Sequence, residues 1–235
     1  MPQPTPRDFS QIETWVFDLD NTLYPPALDL WHQIDARMRD FISGFLKLAP
    51  EEAFKLQKHY YRTYGTSLRG LMIEHGLAPE EFIEYVHDID RSKLVPNPAL
   101  GAAIKKLAGK KLVLTNGSCA HANAVLAGLG IADAFHGVHD IVAANFAPKP
   151  DPAAYHAFLG AHGVEAARAA MFEDLARNLE VPHALGMTTV LVLPGGAEPV
   201  IREHWESEGR DAAHVDHVTD DLVSFLARIT SATSR

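Results

Sequence analysis

A single cysteine, Cys119, occurs in 235 residues, so no internal disulfide can form and nothing in the chain points to an oxidising compartment. No apolar run approaches the ~20 residues that a membrane-spanning helix needs. The first residues, Met1 to Asp8, lack a basic-then-apolar secretory pattern, so the expected location is cytoplasmic, with no membrane partner. Positive charge is scarce as well: 21 Lys+Arg stand against 30 Asp+Glu, a formal net charge of −9, and no long basic run occurs. A nucleic-acid polymer is bound through its phosphate backbone, so this charge balance argues against one as partner. One small anion needs only a local positive site.

Other signatures are missing too. The 13 histidines do not combine with cysteine or with one another at zinc-ligand spacing. His75, His87, His121 and His183 are therefore read as surface or packing residues. Gly195-Gly196 follows an apolar run but opens no helix with a dinucleotide fingerprint. There is no internal repeat. What remains, 47% hydrophobic and 22% charged, is ordinary globular composition, at a length that fits one large domain or one domain carrying a smaller second one.

The pattern along the chain changes twice. Thr14-Trp-Val-Phe17 is a short β-branched and aromatic run that stops at carboxylates, which predicts a buried strand. From Ala27 to about Lys93 the periodicity is helical. Leu30, Ile34, Met38, Phe41 and Phe45 share a face, Pro50 and Pro79 open helices, and Gly65 and Gly76 end them. Beyond Pro96, helices and apolar runs alternate. Strands are expected at Lys111–Leu114, near Val138–Val142, at Ala170–Phe172 and at Thr188–Leu193, with a last helix near 219–229. Short strands alternating with helices predict an α/β fold, a Rossmann-like parallel sheet covered on both faces. The all-helical block reads as a small domain inserted after the first strand, with boundaries at 1–26 and 94–235 for the core and 27–93 for the insertion.

Ligands of open parallel sheets bind beyond the carboxyl ends of the strands, so polar residues there are candidates for one shared site. Asp18-Leu-Asp20-Asn-Thr22 places two carboxylates one residue apart, which repel unless a cation or proton sits between them. Thr115-Asn116-Gly-Ser118 combines a hydroxyl, turn N–H groups and a helix start, a set suited to phosphate oxygens. Lys149 is held in a proline-rich stretch, Pro148-Lys-Pro-Asp-Pro152, and offers a point charge able to bridge carboxylate and phosphate. Glu173-Asp174 again calls for a cation, and oxygen-only ligands favour Mg²⁺ over zinc. Asn178, four residues after Asp174, is placed to orient a neighbour. Each cluster also has an ordinary reading, as a turn, an exposed lysine or a helix cap. Their order after successive strands sets them apart.

In that order the residues resemble the haloacid dehalogenase superfamily of phosphohydrolases, whose pattern is D-x-D-x-T, a strand ending in Thr or Ser, a Lys, and a strand ending in paired acids. The resemblance spans the chain. Four stretches, Phe17–Pro25, Tyr64–Met72, Tyr85–Asp90 and Met171–Asp174, further resemble bacterial pyrimidine 5′-nucleotidases. The resemblance implies Asp18 as nucleophile and Asp20 as general acid and then base. It implies Thr115 and Asn116 on the phosphate, and Lys149 steadying Asp18 and the phosphate. Mg²⁺ is then held by Asp18, the backbone carbonyl of Asp20 and Asp174, with Glu173 in or near its shell. The helical insertion resembles a cap, with Tyr64–Gly70 facing substrate, Tyr24 lining the site, and Asp88-Ile-Asp90 at the hinge. The expected activity is hydrolysis of a small phosphorylated metabolite, a pyrimidine nucleoside 5′-monophosphate first, another monoester such as a sugar phosphate, or mutase chemistry, second. Haloacid dehalogenation is disfavoured because it needs neither a second aspartate nor the metal.

Overall fold

A computed structural model describes residues 7–195 and 208–232. Gly196 and the segment 1–6 lie outside the described residues. Among the described residues, six strands form one parallel sheet in the order β3-β2-β1-β4-β5-β6. They are β1 (Thr14–Phe17), β2 (Lys110–Leu114), β3 (Gly137–His139), β4 (Ala169–Glu173), β5 (Thr188–Val192) and β6 (His217–Thr219). The fold is α/β and Rossmann-like. No described helix is long and apolar enough to cross a membrane.

The central strands are short and apolar because both their faces are covered. Trp15 and Phe17 of β1 point into a cluster built with α5 (Pro98–Lys106), α6 (Cys119–Gly128) and α9 (Leu222–Ala232). Val16 points to the other face, toward Tyr155 and Phe158 of α7 (Pro152–His162) and the flank of α8 (Glu180–Leu185). Phe17 pairs in register with Phe172, and their rings stack at 4.7 Å. Parallel strands aligned at Phe17 and Phe172 release their next residues, Asp18 and Glu173, side by side, so this register brings two acids together. The Asp18 N–H donates to Phe172 O at 2.9 Å.

Between β1 and α5 lie α1 (Leu30–Leu46), α2 (Pro50–Tyr64), α3 (Ser67–His75) and α4 (Pro79–His87). They bury a separate apolar cluster around Phe41, Ile42, Leu71, Phe82 and Val86. Gly65 and Gly76 end α2 and α3 in the left-handed region, as their sequence positions suggested. The two chain crossings into this helical unit are tied together. Lys93 pairs with Asp29 at 3.2 Å, Gln33 exchanges hydrogen bonds with the Asp90 backbone, and Arg37 pairs with Asp88 at 3.2 Å.

Two sequence expectations are corrected. The strand placed near Val138–Val142 ends at His139, because the Asp140 carboxylate accepts from Cys119 N and Ala143 N and turns the chain. The last helix starts at Leu222, not near 219. Residues 217–219 pair with β5 as a sixth strand, and Asp221 caps the helix start by accepting from Ser224 N at 3.0 Å.

Candidate active site

Asp18, Asp20, Thr115, Asn116, Lys149, Glu173 and Asp174 converge on one cavity at the carboxyl ends of the central strands. Lys149 is at its centre. Its Nζ is 2.6 Å from Asp18 Oδ1, 2.9 Å from Glu173 Oε1 and 2.9 Å from Leu114 O, so all three donors are used and the side chain is 2% exposed. Burial works to lower the Lys149 ammonium, but the two carboxylates outweigh it and hold the group above its ordinary value.

The two acids beside the lysine differ in their supply of donors. Glu173 Oε1 also accepts from Asn178 Nδ2 at 2.7 Å, and its Oε2 accepts from Leu175 N at 2.7 Å. Burial works against its charge, but Lys149 and these bonds hold Glu173 below the usual carboxylate value. Among the described residues, the Asp18 side chain receives only the lysine. Burial pushes it up to about 7, against the pull of Lys149 and with added repulsion from Glu173 and Asp20. Glu173 therefore serves Lys149, with Asn178 orienting it, while Asp18 keeps an unmet demand for positive charge.

That demand is the test for a metal. Asp18, Glu173 and Asp174 bring carboxylate oxygens within 4.8 Å of one another. An all-oxygen set of anionic donors fits Mg²⁺ rather than zinc. Asp20 does not join this cluster through its carboxylate, which leaves only its backbone carbonyl for the role expected of it.

The Asp20 carboxylate turns the other way. Its Oδ1 accepts from Tyr24 Oη at 2.5 Å and lies 2.9 Å from His121 Nε2. Burial would raise its pKa, but the charge and hydrogen bond of His121 and the Tyr24 hydroxyl bring it below the ordinary value. His121 is buried and stacks at 4.7 Å on His87 from α4. The expectation that His121 only packs is thus corrected, while His87 packs against it. His121 lies in the first turn of α6, just beyond the strand end that carries Thr115, and nothing in its local sequence marked it as reaching Asp20.

Thr115 and Asn116 flank the cavity differently from one another. Thr115 Oγ1 accepts from Gly117 N at 2.9 Å. The Asn116 side chain grips the Lys149 backbone, Oδ1 accepting from Lys149 N at 2.8 Å and Nδ2 donating to Lys149 O at 3.2 Å. Asn116 therefore positions the lysine loop, which leaves its backbone and the second Nδ2 hydrogen for a bound anion.

In the segment Tyr64–Gly70, Thr66, Ser67 and Leu68 line the cavity. Tyr64 and Arg69 do not, because Tyr64 bonds Glu74 and Arg69 pairs with Asp151 of the core at 2.6 Å. The wall opposite the acids comes from the helical unit instead, from residues such as Trp31, Met38, Gln57, Phe82 and Ile83.

Comparison with known proteins gives a consistent result. Residues 12–186 match the model of a hydrolase family, the haloacid dehalogenase-like hydrolases. Phosphate metabolism protein 8 of Saccharomyces cerevisiae is 27% identical, over 97% of this chain and 73% of that protein. In fold, the chain resembles a HAD phosphatase from Thermococcus onnurineus, with a TM-score of 0.57, 19% identity and coverage of 93% of this chain and 97% of that one. It also resembles the L-2-haloacid dehalogenase of Xanthobacter autotrophicus, with a TM-score of 0.56, 19% identity and coverage of 93% and 98%.

Proposed function

The chain belongs to the haloacid dehalogenase-like hydrolases, and on that premise we propose that it is a Mg²⁺-dependent phosphomonoesterase acting through an aspartyl-phosphate on Asp18. The observation that carries this reading is the division between the two aspartates. Asp18 touches a buried lysine and faces other acids, while Asp20 is held apart by Tyr24 and His121.

A carboxylate oxygen of Asp18 attacks phosphorus in line, forming an O–P bond as the ester oxygen leaves. Asp20 gives that oxygen a proton. In the second half it takes a proton from water, which attacks phosphorus, breaks the bond to Asp18 and frees inorganic phosphate. The second oxygen of Asp20 makes no hydrogen bond among the described residues, so it is the atom for both transfers. Lys149 orients Asp18 and offsets the charge of the transferring group. Thr115 and the backbone at Asn116 hold phosphate oxygens. Asp18, Asp174 and the Asp20 carbonyl would hold Mg²⁺, which would supply the remaining charge neutralisation.

The helices of 27–93 act as the cap, with 1–26 and 94–235 as the core. The substrate is a small phosphorylated metabolite, a pyrimidine nucleoside 5′-monophosphate in the first place. The local resemblances of the sequence to pyrimidine 5′-nucleotidases support it. A panel of phosphomonoesters with and without Mg²⁺ tests both levels. Mg²⁺-dependent release of phosphate from UMP or CMP is expected. Turnover of sugar phosphates alone removes the nucleotidase assignment, and activity on 2-haloacids that survives EDTA removes the phosphatase one.

A further inference from the structure

The helical unit brings Trp31, Tyr61 and Phe82 to the wall of the cavity. Two of these rings are already engaged. Phe82 is 3% exposed and meets Phe41 edge-on at 5.1 Å inside the apolar cluster of that unit. Tyr61 carries the Arg177 guanidinium 4.9 Å from its ring centre. Trp31 is different. Among the described residues it packs into none of the three apolar clusters and has no ring, cation or hydrogen-bond partner. It is half-buried, and its indole nitrogen is not one of the fully buried polar atoms that lack a partner. A buried tryptophan usually spends its N–H on an acceptor and its faces on packing. This one keeps both accessible.

The direction of the ring follows from α1. Trp31, Ile34, Asp35 and Met38 stand at i, i+3, i+4 and i+7, which is one face of a helix, and all four line the cavity. Leu30, one residue earlier, packs in the core cluster that also holds Leu19, Leu23 and Tyr24. Leu19 precedes Asp20, and Tyr24 bonds its carboxylate. Trp31 thus stands where the chain passes from the acid/base into the cap. Asp20 protonates the departing oxygen, so this is the leaving-group side of the site.

We propose that Trp31 is the platform on which a flat ring of the leaving group stacks, which makes it a specificity-determining residue. The proposal rests on the phosphomonoesterase reading above. It narrows the substrate class to monoesters whose leaving group carries a heteroaromatic ring, as a nucleobase does, over those that offer the sugar alone. Stacking of a base on an aromatic side chain changes affinity by roughly fivefold to 150-fold.

The test compares UMP with ribose 5-phosphate, which has its phosphate on the same primary hydroxyl and lacks the base. Both are assayed with Mg²⁺ in the wild type, in Trp31→Leu and in Trp31→Phe. In the wild type, UMP is expected to show kcat/KM at least about tenfold higher, carried by KM. Trp31→Leu keeps an apolar side chain and loses the ring, so the two substrates should come to within about threefold of each other. Trp31→Phe keeps a ring and should retain more of the preference than Trp31→Leu. A kcat/KM no higher for UMP than for ribose 5-phosphate in the wild type overturns the proposal without recourse to any variant. A preference undiminished in a folded Trp31→Leu, whether both rates hold or fall together, overturns it as well, and so do leucine and phenylalanine variants that behave alike. Turnover of ribose 5-phosphate with none of UMP overturns it and leaves the phosphomonoesterase reading standing. No Mg²⁺-dependent phosphate release from any monoester removes both.

Discussion

His121 Nε2 lies 2.9 Å from Asp20 Oδ1, and the ring stacks on His87, the last residue of α4, at 4.7 Å. A residue of the helical unit thus touches the histidine that holds the proposed acid/base. With Tyr24 on the same carboxylate oxygen, His121 fixes where Asp20 can exchange a proton. Removing it by His121→Phe is expected to lower kcat by roughly tenfold to a hundredfold with little change in KM. Steady-state kinetics on the best phosphomonoester checks this. An unchanged kcat would mean that His121 only fills space.

Lys149 neutralises two buried acids, and without it Asp18 and Glu173 face each other uncompensated. Lys149→Met is expected to cost about 3–5 kcal/mol of stability, as breaking a buried ion pair does, and to abolish turnover. Urea unfolding with and without Mg²⁺ provides the readout. Added Mg²⁺ should recover part of the loss, since the cation enters the same acidic cluster.

Gly65 has φ +86°, and a Cβ there would lie 2.9 Å from Pro148 Cγ, next to the lysine loop. Gly76 has φ +63° in open space. Alanine at either position should cost about 1–2 kcal/mol through left-handed strain. Only Gly65→Ala should also raise KM and lower kcat, because it pushes on Pro148 and so on Lys149. Equal activity of the two variants would show that the loop yields.

Burial, with His121 beside it, holds the His87 pKa down to about 4, against an ordinary value of 6.5. The folded state therefore resists a proton that the unfolded chain accepts. His87 contributes its full stability above about pH 6.5, and that contribution fades as pH falls toward 4. Its size is at most about 3 kcal/mol. The stability of His87→Asn should fall less than that of the wild type between pH 6.5 and 4, measured by chemical unfolding. A parallel pH dependence in the two proteins would contradict the assignment.

The sheet was legible because its strands are short, apolar and buried on both faces, so that Phe17 and Phe172 announce the positions of Asp18, Glu173 and Asp174. The helices of 27–93 were legible from periodicity and from the prolines and glycines at their ends. What the sequence concealed were contacts between distant segments. Nothing local to His121 says that it reaches Asp20, nor that Asn116 spends its side chain on the Lys149 backbone. His217–Thr219 was hidden because three residues carry too little periodicity to separate a strand from a helix start.

Trapping the covalent intermediate tests the central claim most directly. Phosphate-labelled substrate is mixed with enzyme and Mg²⁺, quenched in acid within one turnover, and the modified residue is located by mass spectrometry. Label is expected on Asp18, labile to hydroxylamine, accumulating further in Asp20→Asn and absent from Asp18→Asn or after EDTA. Phosphate release by Asp18→Asn at the wild-type rate, or turnover with no label on Asp18, would contradict the account.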